Sequence, residues 1–116
     1  MKKFTETHEY VIVNGNIAVV GISKKAADEL GDVTYVELPQ IGRTVKKGDI
    51  LCTIESVKAA EDVYAHISGK IIEVNNDLED SPEIINEDAE DKGWIAKIEI
   101  SNPSEIEELL DEEPEI

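Results

Sequence analysis

Apolar and polar positions alternate along most of this chain, and glycine, proline and asparagine cut the alternation into short runs. Tyr10 to Val13 and Asn16 to Gly21 flank Asn14-Gly15, a pair that tolerates the positive φ of a type I′ turn, so the spacing predicts a hairpin. Val33 to Leu38 reads as a strand ended by Pro39 and Gly42, and Gly48-Asp49 leads into another, Ile50 to Glu55. Asp62 to Ser68 and Lys70 to Asn75 are predicted on either side of a tight turn at Gly69. Towards the carboxyl end Trp94, Ala96, Ile98 and Ile100 alternate with Ile95, Lys97 and Glu99, which places Trp94 in the core and leaves Ile95 as the one exception.

Helical signals are short and sit between these runs. Ser23 can cap Lys24 to Leu30, and Gly31 can end that helix in the left-handed region. Ser81-Pro82-Glu83 starts a further helix of one or two turns, and Ser104 with Glu107 forms a capping box before Ile106, Leu109 and Leu110, predicting an amphipathic C-terminal helix. Short strands at near-regular spacing with such helices argue for a small antiparallel β-sandwich or barrel. A glycine turn followed by an alternating strand occurs twice, at Lys47-Gly48-Asp49-Ile50 and Lys92-Gly93-Trp94, an echo expected of two related half-sheets. One domain over residues 1–110 and a solvated acidic tail over 111–116 are expected.

Charge narrows the choice of partners. With 11 basic against 27 acidic residues among 116, the formal net charge of -16 repels phosphate backbones, which excludes nucleic acid and anionic membrane surfaces as partners. No apolar run approaches bilayer length and Met1-Lys2-Lys3-Phe4-Thr5-Glu6 lacks the apolar core of a signal peptide, so a cytoplasmic location is expected. Cys52, the sole cysteine, has no internal partner for a disulfide.

The chemistry concentrates at Glu55-Ser56-Val57-Lys58-Ala59-Ala60-Glu61-Asp62, where the chain must reverse between two strands without glycine, asparagine or proline. A break in turn rules marks a working site. With Lys58-Ala59 as the turn, Glu55 faces Asp62, Ser56 faces Glu61 and Cys52 faces Ala65. Cys52, Ile54, Val63, Ala65 and Ile67 then share a core face, and Glu55, Asp62, Tyr64 and His66 share the outer one. Acidic neighbours oppose the proton loss that a Schiff-base or general-base lysine requires, so Lys58 reads as an exposed amine that another enzyme acylates rather than as a catalyst.

These residues resemble the glycine cleavage system H-protein family of lipoyl carriers. The resemblance runs in order through His8-Glu9-Tyr10-Val11, Val19-Val20-Gly21-Ile22, Leu30-Gly31-Asp32-Val33, Val36-Glu37-Leu38-Pro39, Val45-Lys46-Lys47-Gly48, Glu55-Ser56-Val57-Lys58-Ala59, Ser68-Gly69, Glu73-Val74-Asn75, Leu78-Glu79-Asp80, Ile85-Asn86-Glu87-Asp88 and Gly93-Trp94. It implies an all-β barrel-sandwich hybrid of two quasi-symmetric half-sheets with short flanking helices and a C-terminal helix. It further implies lipoate attached covalently to Lys58, with Glu55 and Gly69 read by the lipoylating enzyme, a lipoate ligase or a lipoyl or octanoyl transferase. Glu9, with His8 and Asp62 beside it, is implied as the cleft that holds the loaded arm. The partners implied are a pyridoxal-phosphate glycine decarboxylase that supplies an aminomethyl group, a tetrahydrofolate-dependent aminomethyltransferase that takes it, and a dihydrolipoamide dehydrogenase that reoxidises the dithiol. The chain itself would be a monomeric, non-catalytic carrier. Departures from the family pattern are Tyr10 in place of tryptophan, Glu61 in place of a small or polar residue, and Ala89-Glu90-Asp91-Lys92 in place of a Pro-Tyr-Gly stretch.

Other candidates weigh less. Cys52 and His66 lie on opposite faces in this register, so Cys52 is read as structural rather than nucleophilic. His8 is read first as a polar residue near a strand start. The acidic run from Asp77 to Asp91 lacks EF-hand spacing and is read as a solvated face that steers the molecule to basic partners. Two alternatives remain for function: an H-like lipoyl protein in lipoate relay or another redox pathway, and an unmodified acidic binding module.

Overall fold

A computed structural model describes residues 1–115. Strands β1 (Lys2–Phe4), β2 (Glu9–Asn14) and β3 (Ile17–Ile22) lead into helix α1 (Lys24–Leu30). After it come β4 (Val33–Glu37), β5 (Thr44–Val45), β6 (Ile50–Ser56), β7 (Ala60–Tyr64) and β8 (Gly69–Val74), then α2 (Asp77–Asp80), α3 (Ile84–Asp88), β9 (Ala96–Ile100) and a 3-10 helix, Pro103–Glu108. Six strands form one sheet in the order β1-β2-β3-β9-β8-β5, and three form the other as β4-β6-β7. All named pairings are antiparallel. A single buried cluster draws on both, including Val11, Val20, Ile71 and Ile98 from the larger sheet and Val36, Ile54 and Val63 from the smaller. The architecture is the expected barrel-sandwich, and the echoed strands β6 and β9 lie in different sheets.

Several local expectations are corrected. The first hairpin turns at Gly15-Asn16, one residue later than predicted, because Asn14 pairs with Ile17. Only Gly15 of the pair has positive φ, the requirement of a type II′ turn, which takes glycine at its first central position. Helix α1 is capped as expected, the Ser23 Oγ accepting from the Ala26 amide at 3.1 Å. Gly31 ends it at φ 75, ψ -158, a region open essentially to glycine but not the left-handed helical one.

Gly69 is not a turn residue but the first residue of β8, paired with Val45 and Ile100. The backbones approach so closely that a Cβ there would lie 2.1 Å from the Glu99 carbonyl oxygen. A turn of helix, α2, precedes the segment read as a helix start, and Ser81 caps nothing with its side chain; α3 begins only at Ile84. Ile95 is fully buried while Trp94 is half-exposed beneath the Lys97 ammonium, 5.1 Å from its ring centroid. Regular pairing of β9 starts at Ala96, so the alternation does not govern the two residues before it.

The carboxyl end is a 3-10 helix without the predicted capping box, since Ser104 donates to Asn102 instead. Its Glu105 is buried and accepts from the Ser68 amide at 2.7 Å and the Ser68 hydroxyl at 2.9 Å. Of the segment expected to be a solvated tail, Glu113 turns back onto the body, and Ile116 lies outside the described residues. Glu90 accounts for one departure from the family pattern: it pairs with Lys2 and accepts from the Lys24 amide, joining β1 to the start of α1.

Candidate functional site

Strands β6 and β7 carry Lys58 between them, and Ser56 makes the reversal possible without glycine. Its hydroxyl accepts from the amides of Lys58 and Ala59, each at 3.2 Å, and donates to the Ala59 carbonyl. A serine side chain thus does what a turn glycine or asparagine would otherwise do, and the expected breach of turn chemistry disappears. Glu55 pairs with Ala60 and Asp62 with Thr53, two residues away from the predicted register. A slip of two keeps every side chain on its face, so Cys52, Ile54, Val63, Ala65 and Ile67 are buried as expected. It also removes the opposed carboxylates: Asp62 accepts from the Thr53 hydroxyl at 3.2 Å, and Glu55 sits exposed on the outer face.

Lys58 is exposed, and its ammonium donates to the Glu29 carbonyl at the end of α1, 3.3 Å away. Cations are favoured at the carboxyl end of a helix. The lysine stem lies over Gly31, where a Cβ would come within 3.4 Å of Cε.

Beside this carbonyl opens a cleft of about 260 Å³ between α1, the start of β2 and the β6–β7 hairpin. Ile22, Ala26, Leu30, Ile54 and Val63 give it apolar walls; Glu29, Glu61 and Asp62 stand on its rim, and Thr7, His8 and Glu9 close its polar end. The structure therefore brings Glu9, His8 and Asp62 together, with Lys58 at the Glu29 side. Glu55 and Gly69 do not line this cleft.

Glu9 is 3% exposed and fully partnered on one side. Its Oε1 accepts from the hydroxyls of Thr5 and Thr7 and lies 3.1 Å from His66 Nε2, while its Oε2 accepts, among the described residues, only from the Tyr64 amide, at 3.2 Å. Burial pushes the carboxyl up, but the hydrogen bonds from His66, Thr5, Thr7 and the Tyr64 amide outweigh it and hold the group below its ordinary value. Glu9 is an ionised carboxylate with acceptor capacity left on one oxygen. His8 adopts φ 67, tightening the Thr5–His8 turn that precedes β2, and its Nδ1 meets Glu113 at 2.9 Å; Glu113 also accepts from the Ser23 hydroxyl.

Sequence reasoning missed Thr5 and Thr7, and weighed His66 only as a base for Cys52. Two hydroxyls spaced Thr-x-Thr-x-Glu before a carboxylate are a usable turn signal, but nothing tied His66 to Glu9: its strand ends at Tyr64, which lets the ring turn from the expected outer face onto Glu9. Cys52 is buried and its thiol is pushed up to about 12, by burial first and by Glu37, Glu9 and Asp62 after it, which removes it as a nucleophile near neutral pH.

A β body of two sheets that presents an exposed lysine at a hairpin tip, beside a cleft, has the form of a lipoyl-type carrier domain. A family model described as "Glycine cleavage H-protein" matches residues 2–115, and the chain belongs to that family. Glycine cleavage system H proteins of Thermotoga maritima and Xanthobacter autotrophicus are 57% and 54% identical to it, over 97% and 95% of this chain and 91% and 88% of theirs. A crystal structure of a glycine cleavage system H protein from Mycobacterium marinum superposes with a TM-score of 0.81 at 34% identity, covering 86% of this chain and 84% of that one. Among the described residues no helix is long and apolar enough to cross a membrane.

Proposed function

We propose that this chain is the lipoyl carrier of a glycine cleavage system, modified on Lys58 and without catalysis of its own. The observation that carries the reading is the exposed Lys58 amine at the mouth of a cleft whose far end is the ionised Glu9. The residues present fit a lipoyl group: apolar walls suit its hydrocarbon chain, and an amide formed on Lys58 keeps one N–H for a carbonyl such as that of Glu29. When bound, the group supplies the disulfide chemistry that takes up and gives off an aminomethyl unit.

What the chain adds is shelter and charge. Glu9 Oε2 offers a charge-assisted acceptor to the primary ammonium of that unit, and Asp62 and His8 stand where they bound the same space. The apolar walls would keep water from the end of such a group. Glu55 and Gly69 are assigned to recognition by the lipoate ligase or lipoyl or octanoyl transferase. The partners in turn are a pyridoxal-phosphate glycine decarboxylase, an aminomethyltransferase and a dihydrolipoamide dehydrogenase, met by a monomer in the cytoplasm.

Intact mass of native protein from a host that makes lipoate tests the attachment: a lipoyl increment present in the parent and lost in Lys58→Ala is expected. An unmodified mass would favour an acidic binding module instead. Incubating the lipoylated protein with glycine decarboxylase and labelled glycine then tests the pathway, and failure to acquire label would point to another lipoate-dependent system.

A further inference from the structure

Glu9 has two oxygens in unequal situations. Oε1 takes three contacts, from Thr5, Thr7 and His66, whereas Oε2 takes one backbone amide. The Thr7 hydroxyl also lies 3.0 Å from His66 Nε2, so the ring nitrogen sits between a hydroxyl that it can bond and a carboxylate that only accepts. This geometry requires a proton on Nε2. Behind Glu9 the ring lines a smaller cavity of about 100 Å³, with Thr5, Glu6, Lys47 and Glu108, and takes no part in the wall of the larger cleft.

We infer that His66 is a positioning residue for cargo binding: its Nε2–H bonds the Thr7 hydroxyl and stands 3.1 Å from Oε1 of Glu9, so that Thr7 and the ring together hold Oε1 and leave Oε2 as the oxygen that receives a primary ammonium. Removing the ring frees the carboxylate to rotate and lets solvent from the second cavity reach Oε1. The charged groups around the pair are His8, Glu29, Glu61 and Asp62 on the cleft side and Glu6, Lys47 and Glu108 on the other, where Lys47 and Glu108 pair with each other. Burial raises the cost of ionising Glu9, and the His66 contact is the first of those that offset it.

The inference rests on the carrier reading for its cargo but not for its geometry, and the test separates the two. In unmodified protein, the Glu9 carboxyl is titrated by carbon NMR in the parent, His66→Leu and His66→Gln, with amide spectra verifying the fold. The midpoint is expected to rise by about one pH unit in His66→Leu, the size of one charge-assisted hydrogen bond lost. In His66→Gln, which keeps an N–H donor at the same number of bonds from Cα, it is expected to return most of the way. A midpoint unchanged in His66→Leu overturns the inference. In the lipoylated, amine-loaded protein, His66→Leu is expected to shorten the lifetime of the load about tenfold and His66→Gln to restore it. If the midpoint shifts while the lifetime does not, the cargo does not bind Glu9, and it is the cargo assignment that fails.

Discussion

At Glu9 four donors act against the cost of desolvation, and their net effect fixes the sign of an acid response. The folded group lies below its ordinary value of 4.5, so protons bind the unfolded chain more readily. Glu9 therefore contributes stability that is full above the unfolded value and is lost as pH falls through the lower, folded one. Thermal melts followed from neutral pH down through the carboxylate range should show a shallower acid limb for Glu9→Gln than for the parent; parallel limbs would place the acid response in other carboxylates. Glu9→Ala, by contrast, should leave lipoylation of Lys58 intact and shorten the lifetime of the loaded arm, because Glu9 stands at the start of β2 and not in the β6–β7 turn that carries Lys58. A lifetime unchanged in labelled-load assays would clear Glu9 of that task. Residues such as Lys58 and Glu9 were legible as candidates because their sequence blocks match the family's. Thr5, Thr7 and His66 were not legible as partners of Glu9, since a carboxylate's partners depend on where two turns bring distant segments together, and Thr7 and His66 meet across 59 positions.

Between β6 and β7 the hydrophobic alternation was enough to assign faces but not register. Alternation has period two, so it cannot distinguish pairings that differ by two residues, and the choice falls to the turn. There Ser56 decides, through three hydrogen bonds that a list of glycines and prolines does not anticipate. Ser56→Ala should cost about 1 kcal/mol and speed amide hydrogen exchange at Lys58 and Ala59 before any other element opens. Protection unchanged at those two amides would return the turn to backbone preference alone. Gly69 shows the complementary failure: a glycine bounded by strands reads as a turn, whereas here it admits the Glu99 carbonyl. Gly69→Ala should destabilise by about 3 kcal/mol or more, as overpacking against backbone cannot relax. A chemical-denaturation midpoint near the parent's would contradict that contact. Should Gly69→Ala also slow lipoylation, thermal melts must first show the fold intact before Gly69 is counted as a recognition residue.

Across the whole molecule, charge acts in two opposite senses. A formal net charge of -16 on a body 37 × 31 × 21 Å in extent repels itself, and the same field draws in basic partners. At ~0.01 M salt the screening length is ~30 Å, comparable with the body, whereas at ~0.15 M it is ~8 Å and only neighbouring charges interact. Part of the acidity lies on exposed residues of α2 and α3, Asp77, Glu79, Asp80 and Glu87, which make no ion pair among the described residues. Screening should therefore relieve repulsion and raise Tm, by about 4 °C or more for each kcal/mol relieved in a domain of this size. Over the same range the rate of association with a basic partner enzyme should fall about tenfold, because steering is lost while the contacts are not. Melts and stopped-flow binding in matched buffers read the two effects separately. A rate that stays constant while Tm rises would mean that this acidity repels within the molecule without guiding it to a partner, and docking would then depend on contacts at the hairpin and cleft alone.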